Sequence, residues 1–261
     1  MQTDRGPQQL QTTARSLEIV EIIKRSGGAT VGELVEELGL SKSTIHNHLA
    51  TLRAKEYVVR EANTYHLGLR FFHLGEEAIA RNPSYEIISG TVMELAEETS
   101  MEVDFSVEEY GRVIVIFDEM GSSTRRGFQI GQYYPIHACA SGKAILAELP
   151  DEEIDDITDA HGLMQLTANT ITERDELFET LRAIRDRGYA INDEESNSGI
   201  KAVARTVHGP MGDIIGGLSI TDPAYRFPPH YEVGDVLKEA CENLEKTIED
   251  QWHNRMLSEE A

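Results

Sequence analysis

The tightest constraint on this chain is a pair of breaks, their starts thirteen residues apart, that isolate short helices. "SGGAT", Ser26 to Thr30, ends one helical pattern, and "GLS", Gly39 to Ser41, ends the next. Thr30 is a good N-cap, and Glu33 three residues on completes a capping box ahead of the apolar stripe Val31, Leu34, Val35 and Leu38. Ser41 then caps a further helix in which Ile45, Leu49 and Leu52 recur at i, i+4 and i+7 and so face inward. Thr13 to Arg25 precedes these as a helix with Leu17, Val20 and Ile23 on one face, and "YVVR" and "TYHL" follow as two strands of a hairpin around "EAN". Helix, helix, short glycine-containing turn, helix and hairpin is the order of a winged helix-turn-helix.

In such a domain the third helix lies in the major groove with its solvent face toward base edges. Here that face carries Ser43, Asn47, Ala50 and Ala54, flanked by Lys42, Thr44 and His46. Asn47 is suited to reading adenine, and Ser43 and His46 reach bases or phosphates. Lys42, Arg53, Lys55 and Arg60 supply charge for the phosphate backbone. Two other readings compete: a helical bundle whose polar face meets water, and a helix-turn-helix used for protein contacts. His46 and His48 do not make a metal site, because two residues apart on a helix they point about 200° from each other.

Charge is divided unevenly along the 261 residues, whose net charge is -22. Residues 1–80 hold nine Lys or Arg and ten Asp or Glu, whereas residues 81–261 hold fifteen and thirty-six. The segment expected to read DNA is thus near neutral, and the acid lies beyond it on helix faces, as in a surface adapted to high salt or in a mesophilic acidic protein, between which composition does not choose. The apolar fraction of 40% supports packed cores. No run approaches a membrane span, and "MQTDRGPQQLQTT" has no apolar signal core, so a cytoplasmic protein is expected. Cys139 and Cys241 make neither a disulfide framework nor a zinc cage and are expected as free thiols; no cofactor or metal is expected.

Beyond residue 70, Phe71 to Ala80 reads as a helix rich in Phe and Leu, stopped by "RNP", and a second helix runs from Ser84 to Thr99. "MEVDFSVEE" and "RVIVIFDEM" bracket a "YG" turn as antiparallel strands, and "YAIN", "IKAVARTVHG" and "DIIGGLSIT" read as further strands. "DEEIDDIT" and "TERDELFETLRAIRDRG" are acidic amphipathic helices, and a terminal helix, Tyr231 to Met256, is expected to bury Val236, Leu237, Leu244 and Ile248.

"HACASGKAILA", His137 to Ala147, places small residues where a strand turns into a helix. The amides at such a helix start hold a small anion, or the small residues merely let the helix pack on the sheet; from the residues alone the two readings stand even. The glycine spacing is not that of a nucleotide-binding loop. Cys139 and His137 alternate onto one strand face and so form a conceivable nucleophile and base, but no third orienting residue follows, so no catalytic residue is assigned. "NDEES", Asn192 to Ser196, reads as a solvated acidic loop.

Taken in order, "TTARSLEIVEII", "LSKSTIHNHLATLRAKEYV", "YHLGLRFFHLGEEA", "ASGKAILA", "RGYAINDEES", "GIKAVARTV" and "IIGGLSITDPAYRF" resemble the IclR-type transcriptional regulators over Thr13 to Trp252. The resemblance implies an α+β chain: a winged helix-turn-helix domain at residues 1–68, a linker helix at 69–82, and a GAF-like effector domain at 83–261 with an antiparallel sheet flanked by helices. It implies a homodimer or dimer of dimers on a palindromic promoter site in double-stranded DNA, repressing or activating a metabolic operon. It also turns the "ASGKA" stretch toward a ligand site. Ala140, Ser141 and Gly142 would supply amides, with Asn192, Ala202, Ser219 and Thr221 around the effector. Asn192 stands where an Asp is common in the family and Ala202 where a Cys is common, which argues against a keto acid and leaves a sugar, a sugar acid, an aromatic acid or another carboxylate. The alternatives are a small-molecule sensor acting through protein partners and an enzyme using Cys139.

Overall fold

The computed structural model describes residues 10–121 and 129–259. The opening segment through Gln9, read above as lacking a signal core, lies outside them. The chain divides into two compact units, Met1–Arg81 and Asn82–Ala261.

The first unit contains α1 (Gln11–Ser26), β1 (Ala29–Thr30), α2 (Val31–Leu38), α3 (Lys42–Ala54), β2 (Val58–Glu61), β3 (Thr64–Leu67) and α4 (Arg70–Ala80). Local signals set the helix ends. The Thr30 side chain accepts from the Glu33 amide while Glu33 accepts from the Thr30 amide, closing the capping box, and Ser41 Oγ accepts from the Thr44 amide at 3.1 Å. Ile45, Leu49 and Leu52 enter a core with Ile19, Ile23 and Leu34. Two expectations fail. Leu17 is exposed, because α1 turns Ile19, Ile22 and Ile23 inward instead. The "SGGAT" break is also a strand: Ala29 and Thr30 pair with Tyr65 and Thr64, giving a three-stranded antiparallel wing in the order β1-β3-β2.

α4 buries none of its residues. Phe71 leans on Tyr57, ring centroids 5.1 Å apart, while Leu69, at its N-cap, Phe72 and Leu74 face outward.

The second unit contains α5 (Ser84–Thr99), β4 (Glu102–Glu109), β5 (Arg112–Met120), β6 (Tyr133–Pro135), α6 (Ala140–Glu148), α7 (Asp151–His161), α8 (Arg174–Arg187), β7 (Ala190–Asp193), β8 (Ile200–His208), β9 (Ile214–Pro223) and α9 (His230–Glu259). Six strands form one antiparallel sheet in the order β6-β5-β4-β9-β8-β7. The β4–β5 hairpin closes through Tyr110 and Gly111, both at positive φ, as a tight hairpin turn requires. Strand alternation sorts the residues into two layers. Val103, Phe105, Val203, Leu218 and Ile220 pack against α5 and α9. Ala190, Ala202, Ala204 and Val115 face the other way, against α6 and α8. On α9 the buried stripe is Val233, Leu237, Cys241, Leu244 and Ile248; Val236, expected inside, is exposed.

Candidate functional site

Two surfaces meet the chemical requirements set out above, one in each unit. On α3 the ridge is outward: Lys42, Ser43, His46, Asn47, Ala50, Arg53 and Ala54 are exposed, while the opposite stripe is sealed in the core. Thr44 is half-buried and its hydroxyl lies 2.8 Å from Ser41 Oγ, so it serves the cap more than a ligand. His48 is a core residue whose Nδ1 lies 2.8 Å from Ser16 Oγ. Lys42, Arg53 and Lys55 make no ion pair among the described residues and are available to an anion. Arg60 on β2 is steadied differently. Its Nε donates to the Ala62 carbonyl at 2.9 Å, Nη2 donates to Asn63 Oδ1 at 3.2 Å, and the guanidinium sits over Tyr65. A groove of about 380 Å³ between α2, the start of α3 and the wing is lined by Lys42, His46, Arg60, Asn63 and Tyr65. Asn63 does not stand out in the sequence because a hairpin tip gives no periodic signal.

In the second unit α6 lies on the sheet with Ala140 through Ala147 all buried. Small residues allow the approach. A Cβ on Gly217 of β9 would come within 2.8 Å of Ser141 Cβ, and one on Gly142 would collide with the Ile136 carbonyl. The segment before α6 is a 3-10 turn, Ile136–Ala138, not the expected strand. His137 and Cys139 therefore do not alternate along a strand and are not bonded to each other. His137 Nε2 lies 3.2 Å from the Met164 carbonyl, whereas the Cys139 thiol donates to the Pro135 carbonyl at 3.8 Å. Burial pushes the Cys139 thiol up to about 11, the opposite of what a nucleophile needs.

The sheet beneath α6 is polar at its β4–β9 centre. Asn192, Ala202, Thr221 and Glu102 stand in register across β7, β8, β9 and β4. The neighbouring row holds Ala190, Ala204, Ser219, Asp104 and Asp118, and the next places Gly217 opposite Ser106. Ser219 and Thr221 are thus side by side, their hydroxyls 3.4 Å apart, both buried. Ala202 contributes only a methyl group, within the apolar core under α6.

Asn192 is fully buried, but its amide is spent on the following turn. Oδ1 accepts from the Glu195 amide at 2.8 Å and Nδ2 donates to Ser196 Oγ at 2.8 Å. "NDEES" is accordingly not a solvated loop: Glu195 is buried and pairs with Lys143 of α6, which accounts for the burial of both charges.

Glu102, Asp104 and Asp118 are buried on this face, and sequence reading passed over all three. Asp104 stands out. Ser106 Oγ donates to its Oδ1 at 3.1 Å, and its Oδ2 is buried without a geometric hydrogen-bond partner among the described residues. Burial, reinforced by the charge of Glu102, pushes the carboxyl up to about 8 against the opposing hydroxyls of Ser219 and Ser106. Among the described residues, no three His, Cys, Asp or Glu side chains are placed to hold a metal ion, and no helix is long and apolar enough to cross a membrane.

Known proteins share both units. Residues 77–246 match the family described as "Bacterial transcriptional regulator IclR C-terminal", and residues 10–66 match the MarR family. The chain is 31% identical over 251 residues to the probable HTH-type transcriptional regulator ArcR of Halobacterium salinarum, covering 93% of this chain and 95% of that protein. It is 27% identical to the HTH-type transcriptional repressor AllR of Klebsiella pneumoniae, covering 91% and 90%. The crystal structure of the Thermotoga maritima IclR superposes with a TM-score of 0.74 at 27% identity, covering 91% of this chain and 98% of that one.

Proposed function

The chain belongs to the IclR family of transcriptional regulators and is a ligand-responsive DNA-binding regulator, and we propose that it reads a palindromic promoter site through α3 as a homodimer or dimer of dimers. The observation that carries this reading is the α3 ridge. Ser43, His46 and Asn47 are free of the core on a helix whose other side is wholly committed to it. Asn47 is the base reader, Ser43 and His46 support it, and Lys42, Arg53, Lys55 and Arg60 meet phosphates. Symmetry supplies what one helix lacks, because two ridges about one helical turn of DNA apart engage both half-sites. The outward Phe72 and Leu74 of α4 give a second copy an apolar surface to cover.

The effector is a small organic molecule seated on the sheet beneath the start of α6. A sugar, a sugar acid or another carboxylate would use the amides of Ala140, Ser141 and Gly142 and the hydroxyls of Ser141, Ser219 and Thr221. Asn192 and Ala202 shape the site from behind rather than touch the ligand. The effector acts by the difference in its affinity for two arrangements of the dimer, one of which fits the operator. Residues 1–68, 69–82 and 83–261 serve as reading domain, linker helix and effector domain. A turnover role for Cys139 is disfavoured by its raised thiol pKa and its distance in bonding from His137.

Footprinting of the region upstream of the encoding gene tests the reading directly. The expected result is protection of a two-fold symmetric site; no protected site at any salt concentration overturns it.

A further inference from the structure

We propose that the first turn of α4 is part of the DNA interface: Arg70 and His73 join Arg53 and Arg60 in a groove that takes the phosphate backbone of the duplex beside the bases read by α3. The inference rests on the reading that α3 enters the major groove. It gives the helix after the wing a direct contact with DNA.

The groove has a volume of about 570 Å³ and lies wholly within the first unit, between the end of α3, β2 and the start of α4. Three of the nine Lys and Arg in residues 1–80 line it, with the imidazole of His73 beside them. One carboxylate, Glu56, stands against these. A chain of net charge -22 repels a polyanion over most of its surface, so a duplex is drawn to places where guanidinium groups gather.

Close packing sets this cluster in place. The Gly68 amide donates to the Tyr57 carbonyl at 2.8 Å, and a Cβ on Gly68 would collide with the Glu56 carbonyl. With Phe71 leaning on Tyr57, the first turn of α4 is seated beside the turn that ends α3. Arg70 and Arg53 are therefore carried by one packed body. The Arg70 guanidinium sits over the Tyr57 ring, 5.4 Å from its centroid, as Arg60 sits over Tyr65. A guanidinium steadied on a ring still presents N–H donors at its edge, in the fork that suits phosphate oxygens. His73 is exposed, and its imidazole has at least one N–H to donate in either charge state.

Continuity selects the occupant. Arg60 lines this groove and also the one that holds Lys42, His46 and Asn63, so it joins the two into one basic surface from the start of α3 to the start of α4. Arg53 belongs at once to this groove and to the outward ridge of α3. Backbone contacts of this kind fix the register of a reading helix on its bases. Arg70 Nη1 lies 3.4 Å from Glu56 Oε2, but the Glu56 side chain is 79% exposed, and an ion pair so open to water is weak. Arg70 exchanges that carboxylate for a phosphate oxygen as the duplex arrives.

The test is binding of the full chain to the duplex protected in the footprint and to a mismatched duplex, from about 0.1 to about 1 M KCl. Each neutralised phosphate contributes about 0.9 to the slope of log K on log[salt]. Arg70→Gln is expected to weaken both duplexes alike and to lower the slope by about 1 for each protomer engaged. In phosphate-ethylation interference it is expected to lose one position per half-site. Arg70→Lys is expected to keep most of the slope, and His73→Ala to weaken both duplexes alike. Glu56→Gln removes the opposing carboxylate and is expected to tighten both duplexes about twofold to fivefold, a gain that misfolding does not imitate. Circular dichroism confirms folding; should the Arg70 variants not fold, the Glu56→Gln gain decides, and its absence overturns the proposal. An unchanged slope and interference pattern in folded Arg70→Gln, with Asn47→Ala still losing specificity, would overturn it and leave the reading of α3 standing. Unchanged DNA binding with a lower assembly mass in sedimentation would give the groove to a second copy of the chain and overturn it as well. No binding of either duplex by the unmodified chain would remove both readings.

Discussion

The ammonium of Lys143, on α6, is paired with the carboxylate of Glu195, fifty-two residues further along the chain, and both groups are withdrawn from water. The pair pins the turn after β7 to the helix that roofs the polar face of the sheet. Breaking a buried pair from one side strands the other charge. Lys143→Met should cost about 3–5 kcal/mol in urea unfolding, and Lys143→Met with Glu195→Met should recover most of it. A loss in the double variant equal to the sum of the two single losses would show that the pair is not coupled.

Gly142 is required for close approach, since any side chain there meets the Ile136 carbonyl. Gly142→Ala should shift the start of α6, cost about 1–3 kcal/mol by overpacking, and blunt the response to effector more than DNA binding itself. Thermal unfolding and a footprint with and without effector measure the two effects separately.

Asn47 and Lys55 should fail in different ways. Asn47→Ala is expected to weaken specific binding by about 1–3 kcal/mol and to relax preference at one base pair. Lys55→Ala should weaken all sequences alike and lower the salt slope of log K by about 1. Titrations of operator and mismatched duplexes at several salt concentrations distinguish a base reader from a phosphate contact.

His208 joins three elements. Its Nε2 lies 2.6 Å from Glu148 at the end of α6, its Nδ1 lies 2.8 Å from Glu245 of α9, and Thr206 also bonds to Glu148. The hydrogen bonds to Glu148 and Glu245 raise His208 from 6.5 to about 10. A group raised in the folded state stabilises fully below its unfolded pKa and loses that contribution as pH climbs through the folded value. The protein should therefore lose stability between about pH 6.5 and about pH 10, and His208→Gln should flatten that decline. Urea midpoints across this range provide the measurement.

Short-range grammar was legible in the sequence and long-range pairing was not. The Thr30–Glu33 box, the Ser41 cap and the Ile45–Leu49–Leu52 stripe are local, and each forms as read. The strand Ala29–Thr30 exists only because Thr64 and Tyr65 lie beside it, so no local pattern announces it. Leu17 was misplaced because α1 offers two adjacent apolar faces, and contact with the rest of the core chooses between them. The candidate site divides in the same way. The small residues of α6 are visible as composition, whereas Glu195 turns inward only because a distant lysine meets it. Glu102, Asp104 and Ser106 alternate with Val103 and Phe105, a pattern that ordinarily turns the polar side to water. In a sheet covered on both sides, that polar side becomes the lining beneath a helix. The saturated apolar run "RVIVIFDEM" beside it was the available hint that both faces were covered.

From Ala140 to Ala147 α6 has no wet side, and its last residue, Glu148, is tied to β8 and, through His208, to α9. A rod gripped along its whole length cannot yield piecemeal. A guest lodged under its first turn, as proposed, would tilt it as one body, and the far tip would then tug on the long terminal helix. What began as the fit of a few atoms leaves the domain as leverage.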